Sequence, residues 1–239
     1  MDWLAMLQTA DFWAGLFAII WIDIILSGDN AVVIALAARS LPPDQQRKAV
    51  FFGAGAAILL RVVLTIFAAF LIQLPWLKLV GGLLLFWIAI KLLLPDEEQA
   101  EVAGYSNLLA AIRTIVMADL VMSVDNVLAV AGASGGNDVL LVLGLLISIP
   151  LMIVGATLLM GLMERYPAII LLGAAIIGGV AAEMVSTDPF VAQWLEQHAP
   201  WLHAAYVLPV INLHILQVLG AFSVVILGTW LARRRNTSN

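Results

Sequence analysis

The chain alternates long apolar runs with short clusters of polar residues and turn formers. Apolar runs cover residues 12–38, 49–72, 76–94, 108–131, 139–163, 168–185 and 205–232. Most are close to the ~20 residues that a helix needs to cross the hydrocarbon core of a bilayer. Helix breakers separate them: Pro42 and Pro43, Pro75, Pro95 ahead of the acidic Asp96-Glu97-Glu98, Gly135-Gly136, Pro167, Pro189 and Pro200. The pattern predicts an all-α fold, a polytopic transmembrane helix bundle of about seven spans. Between the sixth and seventh runs, Phe190, Val191, Trp194, Leu195, Trp201 and Leu202 recur at helical spacing. This predicts a helix lying in the membrane interface, where tryptophans favour the headgroup level; His198 and His203 read as part of the same anchor.

Composition supports the membrane reading. Hydrophobic residues make up 63% of the 239-residue chain and charged residues 11%, against the quarter or so that is charged in soluble domains. Seven spans use most of the length, so no soluble catalytic domain fits and any chemistry has to occur within the membrane. A net charge of −5 argues against nucleic acid, because no basic face is available for phosphates. The absence of cysteine excludes disulfides, thiolate metal sites and cysteine nucleophiles, leaving oxygen and a little imidazole as ligands. The first residues lack the basic segment of a secretory signal and read as mature sequence. With the N-terminus outside, nine of the eleven Lys and Arg residues fall on cytoplasmic segments: Arg39, Arg47, Lys48, Lys91, Arg113, Arg165 and Arg233-Arg234-Arg235. Lys78 alone lies outside, and Arg61 is in mid-span, so the basic C-terminus is cytoplasmic by the positive-inside rule.

An internal repeat carries the strongest signal. At an offset of 96 residues, Asp23, Ser27, Asp29 and Asn30 fall on Asp119, Ser123, Asp125 and Asn126. Four polar residues at identical spacing in two otherwise apolar runs are not a chance pattern. The third runs align as well, 81–91 on 173–183, ending in the opposite charges Lys91 and Glu183. The copies lie three spans apart, an odd number, so the second unit enters the membrane from the other side. The expected organisation is a first inverted repeat at 1–94, an acidic cytoplasmic linker at 95–106 and a second repeat at 107–187. An external interfacial segment at 188–204 and a seventh span with a basic tail at 205–239 complete it. Inverted repeats are typical of secondary transporters, which place the substrate near mid-membrane between the two halves.

An ionised Asp at the bilayer centre costs ~2.5–3.5 kcal/mol even on the lenient insertion scale. Four such residues call for a function beyond interhelical glue. On an unbroken helix Asp23, Ser27 and Asn30 share one stripe, as do Asp119, Ser123 and Asn126. Asp29 then lies ~9 Å along the axis from Asp23 and faces elsewhere. Either the helix opens near Ser27-Gly28 or there are two depths of site: Asp23 and Asp119 central, Asp29 towards the cytoplasm and Asp125 towards the outside. Carboxylate, amide and hydroxyl oxygens suit hard divalent cations such as Mn2+, Ca2+ or Mg2+ rather than Cu or Zn. Set against Arg61, the four aspartates leave about −3, suited to a divalent cation plus a proton. Arg61 is either a counter-ion or a gate; Lys91 reads as a snorkelling residue, and Glu183 as an entry carboxylate or an interfacial one. Asn212, His214 and Gln217 read as interhelical glue.

At these residues the sequence resembles the TerC family of integral membrane proteins, named for tellurium resistance and marked by a paired S-x-D-N motif. Here the motif is Ser27-Gly28-Asp29-Asn30 and Ser123-Val124-Asp125-Asn126, and the similarity runs from about residue 12 to residue 230, including Leu146-Ile147-Ser148-Ile149-Pro150. The resemblance implies metal-ion transport in the bacterial inner membrane, with members linked to manganese export and to supplying exported enzymes with manganese. Some relatives carry a cytosolic regulatory domain after the membrane part, and none is expected after Arg235. The expectation is a non-enzymatic exporter of Mn2+, with Ca2+ as the rival ion, no resident cofactor, the bilayer as partner, and a homo-oligomer left open. Two other classes stay open: a membrane scaffold without flux, and an intramembrane aspartyl protease using facing aspartates. Cysteine labelling checks the topology: Gln45 and Glu98 are expected inside, Gly136 and Gln193 outside. Finding Gln45 and Gly136 on one face would remove the inverted repeat.

Overall fold

Hydrocarbon offers no hydrogen bonds to a peptide backbone, so a segment buried in it has to satisfy its own amides and carbonyls, as a helix does. The computed structural model describes residues 9–26, 28–67, 76–94, 104–134, 138–203, 206–208 and 213–236, and helices dominate them. In order they are α1 (Ala10–Leu26), α2 (Gly28–Ala38), α3 (Pro43–Ile66), α4 (Leu77–Leu93), α5 (Gly104–Ser134) and α6 (Asp138–Arg165). There follow α7 (Ala168–Ser186), α8 (Pro189–His198), α9 (Pro200–His203), a two-stranded ribbon of β1 (Tyr206–Leu208) and β2 (Leu213–His214), and α10 (Ile215–Asn236). The protein is an all-α transmembrane bundle. Among the described residues, α3, α6, α7 and α10 are each long and apolar enough to cross a bilayer, and α1 with α2 adds a fifth span if the bent pair is one. Helices α4, of 17 residues, and α5, of 31 residues, lie on the third and fourth apolar runs.

The first run is not one helix. Its two parts meet at an angle of 48° around position 27. Of the two alternatives that the sequence left, the opening near Ser27-Gly28 is the one this bend agrees with: Asp23 sits on α1 and Asn30 on α2 rather than on one unbroken helix. Ser27 itself lies outside the described residues. The physical consequence is a second helix N-terminus inside the bundle, with Asp29 in its first turn, where the free amides and the helix dipole favour negative charge. The matching run in the second unit continues unbroken through Ser123 and Asn126 as α5.

Three element boundaries differ from those expected. The seventh helix starts at Ile215, not near residue 205, because the ribbon precedes it. Leu208 stands before Pro209, and a residue before proline is pushed out of helical geometry into extended backbone. The expected linker at 95–106 is shortened by α5, which begins at Gly104, while 95–103 lies outside the described residues. The interfacial segment is helical as expected, but split into α8 and α9 at Ala199-Pro200. Asp188, fully buried, receives the Phe190 amide of α8 at 3.1 Å and the Leu79 amide of α4 at 3.2 Å, so one carboxylate caps both helices. Trp76, at the left-handed N-cap of α4, stacks on Phe190 with ring centroids 5.4 Å apart.

Packing follows exchange of the two three-helix units. Helix α3 packs on α5, and α6 on α1 and α2; α4 packs on α7; α4 also meets α5, as α7 meets α2. Each neighbour pair thus has a counterpart with the units swapped. Side-chain detail agrees: Ile115 of α5 covers Gly53 of α3, and Ile19 of α1 covers Gly144 of α6. Outside the pair, α10 lies against α7 at Gly178 and Gly220, where the backbones come so near that a Cβ on Gly178 would stand 2.8 Å from the Gly220 carbonyl oxygen. Gly178→Ala is expected to lower the thermal unfolding temperature in detergent, by the ~1–3 kcal/mol typical of overpacking. Gly161→Ala, where a Cβ meets nothing within 4 Å, should leave it unchanged or raised.

Candidate functional site

The site begins where three helices meet. Asp23 comes from the last two turns of α1, Arg61 from α3 and Asp119 from the middle of α5. Their exposures are 1%, 0% and 3%, so three charged side chains lie wholly inside an apolar bundle. Arg61 donates from one terminal nitrogen to Asp23 Oδ1 at 2.5 Å and from the other to Asp119 Oδ1 at 2.8 Å. Its Nε donates to Ser123 Oγ at 3.1 Å, and that hydroxyl donates onward to Asp119 Oδ2 at 2.9 Å. The Thr65 hydroxyl donates to the Arg61 carbonyl at 2.7 Å. The planar fork of a guanidinium suits this task, because each terminal nitrogen aims at a different acceptor.

Burying these charges is costly unless geometry and hydrogen bonding are good. Here two carboxylates meet one guanidinium, and the cluster keeps a formal charge of −1. Sequence spacing expected Asp23 and Asp119 on one seam, and the structure brings them to one group. Ser123 follows Asp119 by one helical turn and reaches both the carboxylate and the guanidinium.

The other candidates fall into two groups. Asn30, on the first turn of α2, is 2% exposed, and neither its side-chain oxygen nor its side-chain nitrogen has a hydrogen-bond partner among the described residues. Asp29, half-buried beside it, accepts the Asn30 amide at 2.9 Å. Asn126 is buried on α5, and the side chain of Asp125 lies outside the described residues. Lys91 and Glu183 are not part of this centre. Lys91 is exposed near the end of α4 with its ammonium 5.4 Å from the Trp87 ring centroid. Glu183 is exposed on α7 and accepts from Gln217 of α10 at 2.7 Å. Among the described residues no three His, Cys, Asp or Glu side chains are placed to hold one metal ion. A cation held here would draw on two carboxylates together with amide and hydroxyl oxygens.

Comparison with known proteins bears on what such a centre belongs to. The profile described as the integral membrane protein TerC family matches residues 8–236. The chain belongs to the TerC family. It is 40% identical over 188 residues, 79% of this chain and 86% of the relative, to the uncharacterized membrane protein YjbE of Bacillus subtilis. It is 29% identical over 185 residues to the uncharacterized membrane protein YceF of the same organism, covering 73% of this chain and 72% of that one. The UPF0053 inner membrane protein YoaE of Escherichia coli is 25% identical over 186 residues, 70% of this chain but 36% of its own length. No solved structure matches the chain. As a member of the TerC family this is a multi-pass membrane protein, and the family match spans both S-x-D-N segments and the Arg61 helix between them.

Sequence reasoning did not single out Asp188, although Asp188-Pro189 is the usual signature of a helix start. Nor did it foresee that one arginine would bind both repeat aspartates, a contact between residues 38 and 58 positions apart. The site makes two opposite stability predictions. Ser123→Ala leaves a buried Nε–H without that acceptor and should destabilise the protein by ~1–3 kcal/mol. Asn30→Leu replaces an amide lacking partners by an apolar group of similar size and should keep or raise stability. Thermal unfolding of both variants in detergent checks the signs.

Proposed function

We propose that this TerC-family protein transports a divalent metal cation across the membrane, Mn2+ ahead of Ca2+, in the export direction. The carrying observation is the meeting of Asp23 and Asp119. They hold corresponding positions in the two copies of the motif, and their carboxylates converge on one point in the bundle. Exchange-symmetric packing supports two inverted three-helix units with α10 as an accessory helix. The Lys and Arg distribution supports seven spans with the N-terminus outside. A site between inverted units, beside a helix broken at mid-run, is the arrangement that lets one half rock against the other around a fixed ion.

The donors are oxygen donors, which favours hard cations over Cu2+ and Zn2+. Asn30 adds weight. A buried amide without a protein partner carries a cost, and a passing ion or its hydration water offers it a ligand. Asp29 and Asp125 are then relays on either side of the central pair. A scaffold without flux gives no reason for a charged centre and a partnerless amide in hydrocarbon. An aspartyl protease needs two carboxyls sharing a proton directly, whereas here the Arg61 guanidinium stands between them.

Flux in proteoliposomes tests the reading. The purified protein should carry Mn2+ in preference to Zn2+ and Cu2+, with Ca2+ the nearest competitor. Asp23→Asn and Asp119→Asn should each lower Mn2+ flux about tenfold or more, since each removes a charge that offsets dehydration of the ion. Near-normal flux in a well-expressed double variant would return the scaffold reading.

A further inference from the structure

A divalent cation bridging Asp23 and Asp119 would take the place between their Oδ1 atoms that the Arg61 guanidinium holds, and the like charges of ion and guanidinium oppose sharing it. An ion of this class needs its oxygens at ~2.0–2.6 Å, and Oδ1 of each aspartate already accepts a guanidinium hydrogen. We propose that Arg61 is a tethered surrogate for the cargo, alternating with the divalent cation on the Asp23–Asp119 pair. The inference rests on the transport reading and adds to it the means by which the empty carrier resets and the charge of ion it selects.

The repeat supports this role. Ile19 and Ile115 correspond at the offset of 96, and they cover Gly144 and Gly53 respectively, so these two glycines are counterparts. Eight residues beyond each glycine stand Met152 in the second unit and Arg61 in the first. Both are buried, and one unit alone supplies the cation. A single group bridging two symmetry-related carboxylates lies where the units' exchange axis passes, the place a single shared ion takes. Arg61 brings a charge there on a side chain rather than from solution.

Charge then decides the cycle. With Arg61 in place the empty pair carries −1; without it the pair would carry −2 in hydrocarbon, a state that opposes reorientation. Arg61 lets the empty carrier return without a co-ion, giving net transport rather than obligatory exchange. It also sets a threshold. A monovalent cation offers the pair no more charge than the guanidinium and lacks its several directed hydrogen bonds, whereas a divalent cation brings twice the charge.

The test compares wild type, Arg61→Met and Arg61→Lys in liposomes loaded with Mn2+, measuring net efflux into metal-free medium, exchange against Mn2+ outside, and Mn2+ binding. Methionine copies the residue at the counterpart position. Arg61→Met should bind Mn2+ about tenfold or more tightly, retain exchange, and lose net efflux by a similar factor. Arg61→Lys, which keeps the charge but not the fork, should keep net efflux within a few-fold of wild type and bind Mn2+ more tightly than wild type. Unchanged affinity and net efflux in Arg61→Met, or loss of both fluxes in a folded Arg61→Met protein, overturns the surrogate role while leaving transport standing. If Arg61→Met does not fold, Arg61→Lys decides alone: tighter Mn2+ binding with net efflux supports the role, weaker binding overturns it. Wild type carrying no divalent cation in either assay fails the transport reading, and the surrogate role with it.

Discussion

A guanidinium among apolar helices is tolerable only where carboxylates meet it at hydrogen-bond distance, and Arg61 has this from Asp23 and Asp119. The requirement fixes more than one side chain. It sets the depth of α1 and α5 against α3, because a slip of one residue on any of the three would turn a charged group towards hydrocarbon. Ser123 strengthens the arrangement by binding both the guanidinium and Asp119. Apolar packing alone discriminates weakly between registers in a membrane, where lipid tails compete on equal terms with side chains. The charged cluster supplies the discrimination.

Around that anchor the two units are alike in packing and unlike in backbone. Isoleucine against glycine recurs at both crossings between a first helix and the partner unit's second helix. Yet the first copy of the motif straddles a break and the second lies within a continuous helix. Glycine at position 28 in the first copy, against Val124 in the second, is the local difference that matches this, since glycine weakens a helix interior and valine does not interrupt it. The break gives α2 its own N-terminus at Asp29, and the Asn30 side-chain amide beside it is buried without a partner among the described residues. The two units thus differ in backbone at corresponding positions.

The periphery is built on different physics. Glycine contacts bring α10 against α7, and the Gln217–Glu183 hydrogen bond adds a polar link between the same helices. Asp188 fastens α8 to the start of α4 through two backbone amides, and Trp76 and Phe190 stack over the junction. The charged centre itself is built by α1, α3 and α5.

What the sequence determined by itself is what depends on local composition. Apolar runs near the length of a bilayer fixed the helical membrane class, since transfer free energy sums along the chain regardless of partners. The repeat of Asp23, Ser27, Asp29 and Asn30 marked the candidate residues, because polar groups in hydrocarbon need a reason wherever they point. The basic residues gave an expected orientation, and Arg61 was visible as the cation in mid-span. Only the tertiary structure decided that Arg61 lies between both aspartates, because spacing defines a helical face but not which residue of another helix faces it. It also decided that the first run bends, that the Asn30 side chain has no partner among the described residues and that Asp188 serves two helices. Each of these depends on neighbours distant in sequence, whose approach is set by the packing of the whole bundle.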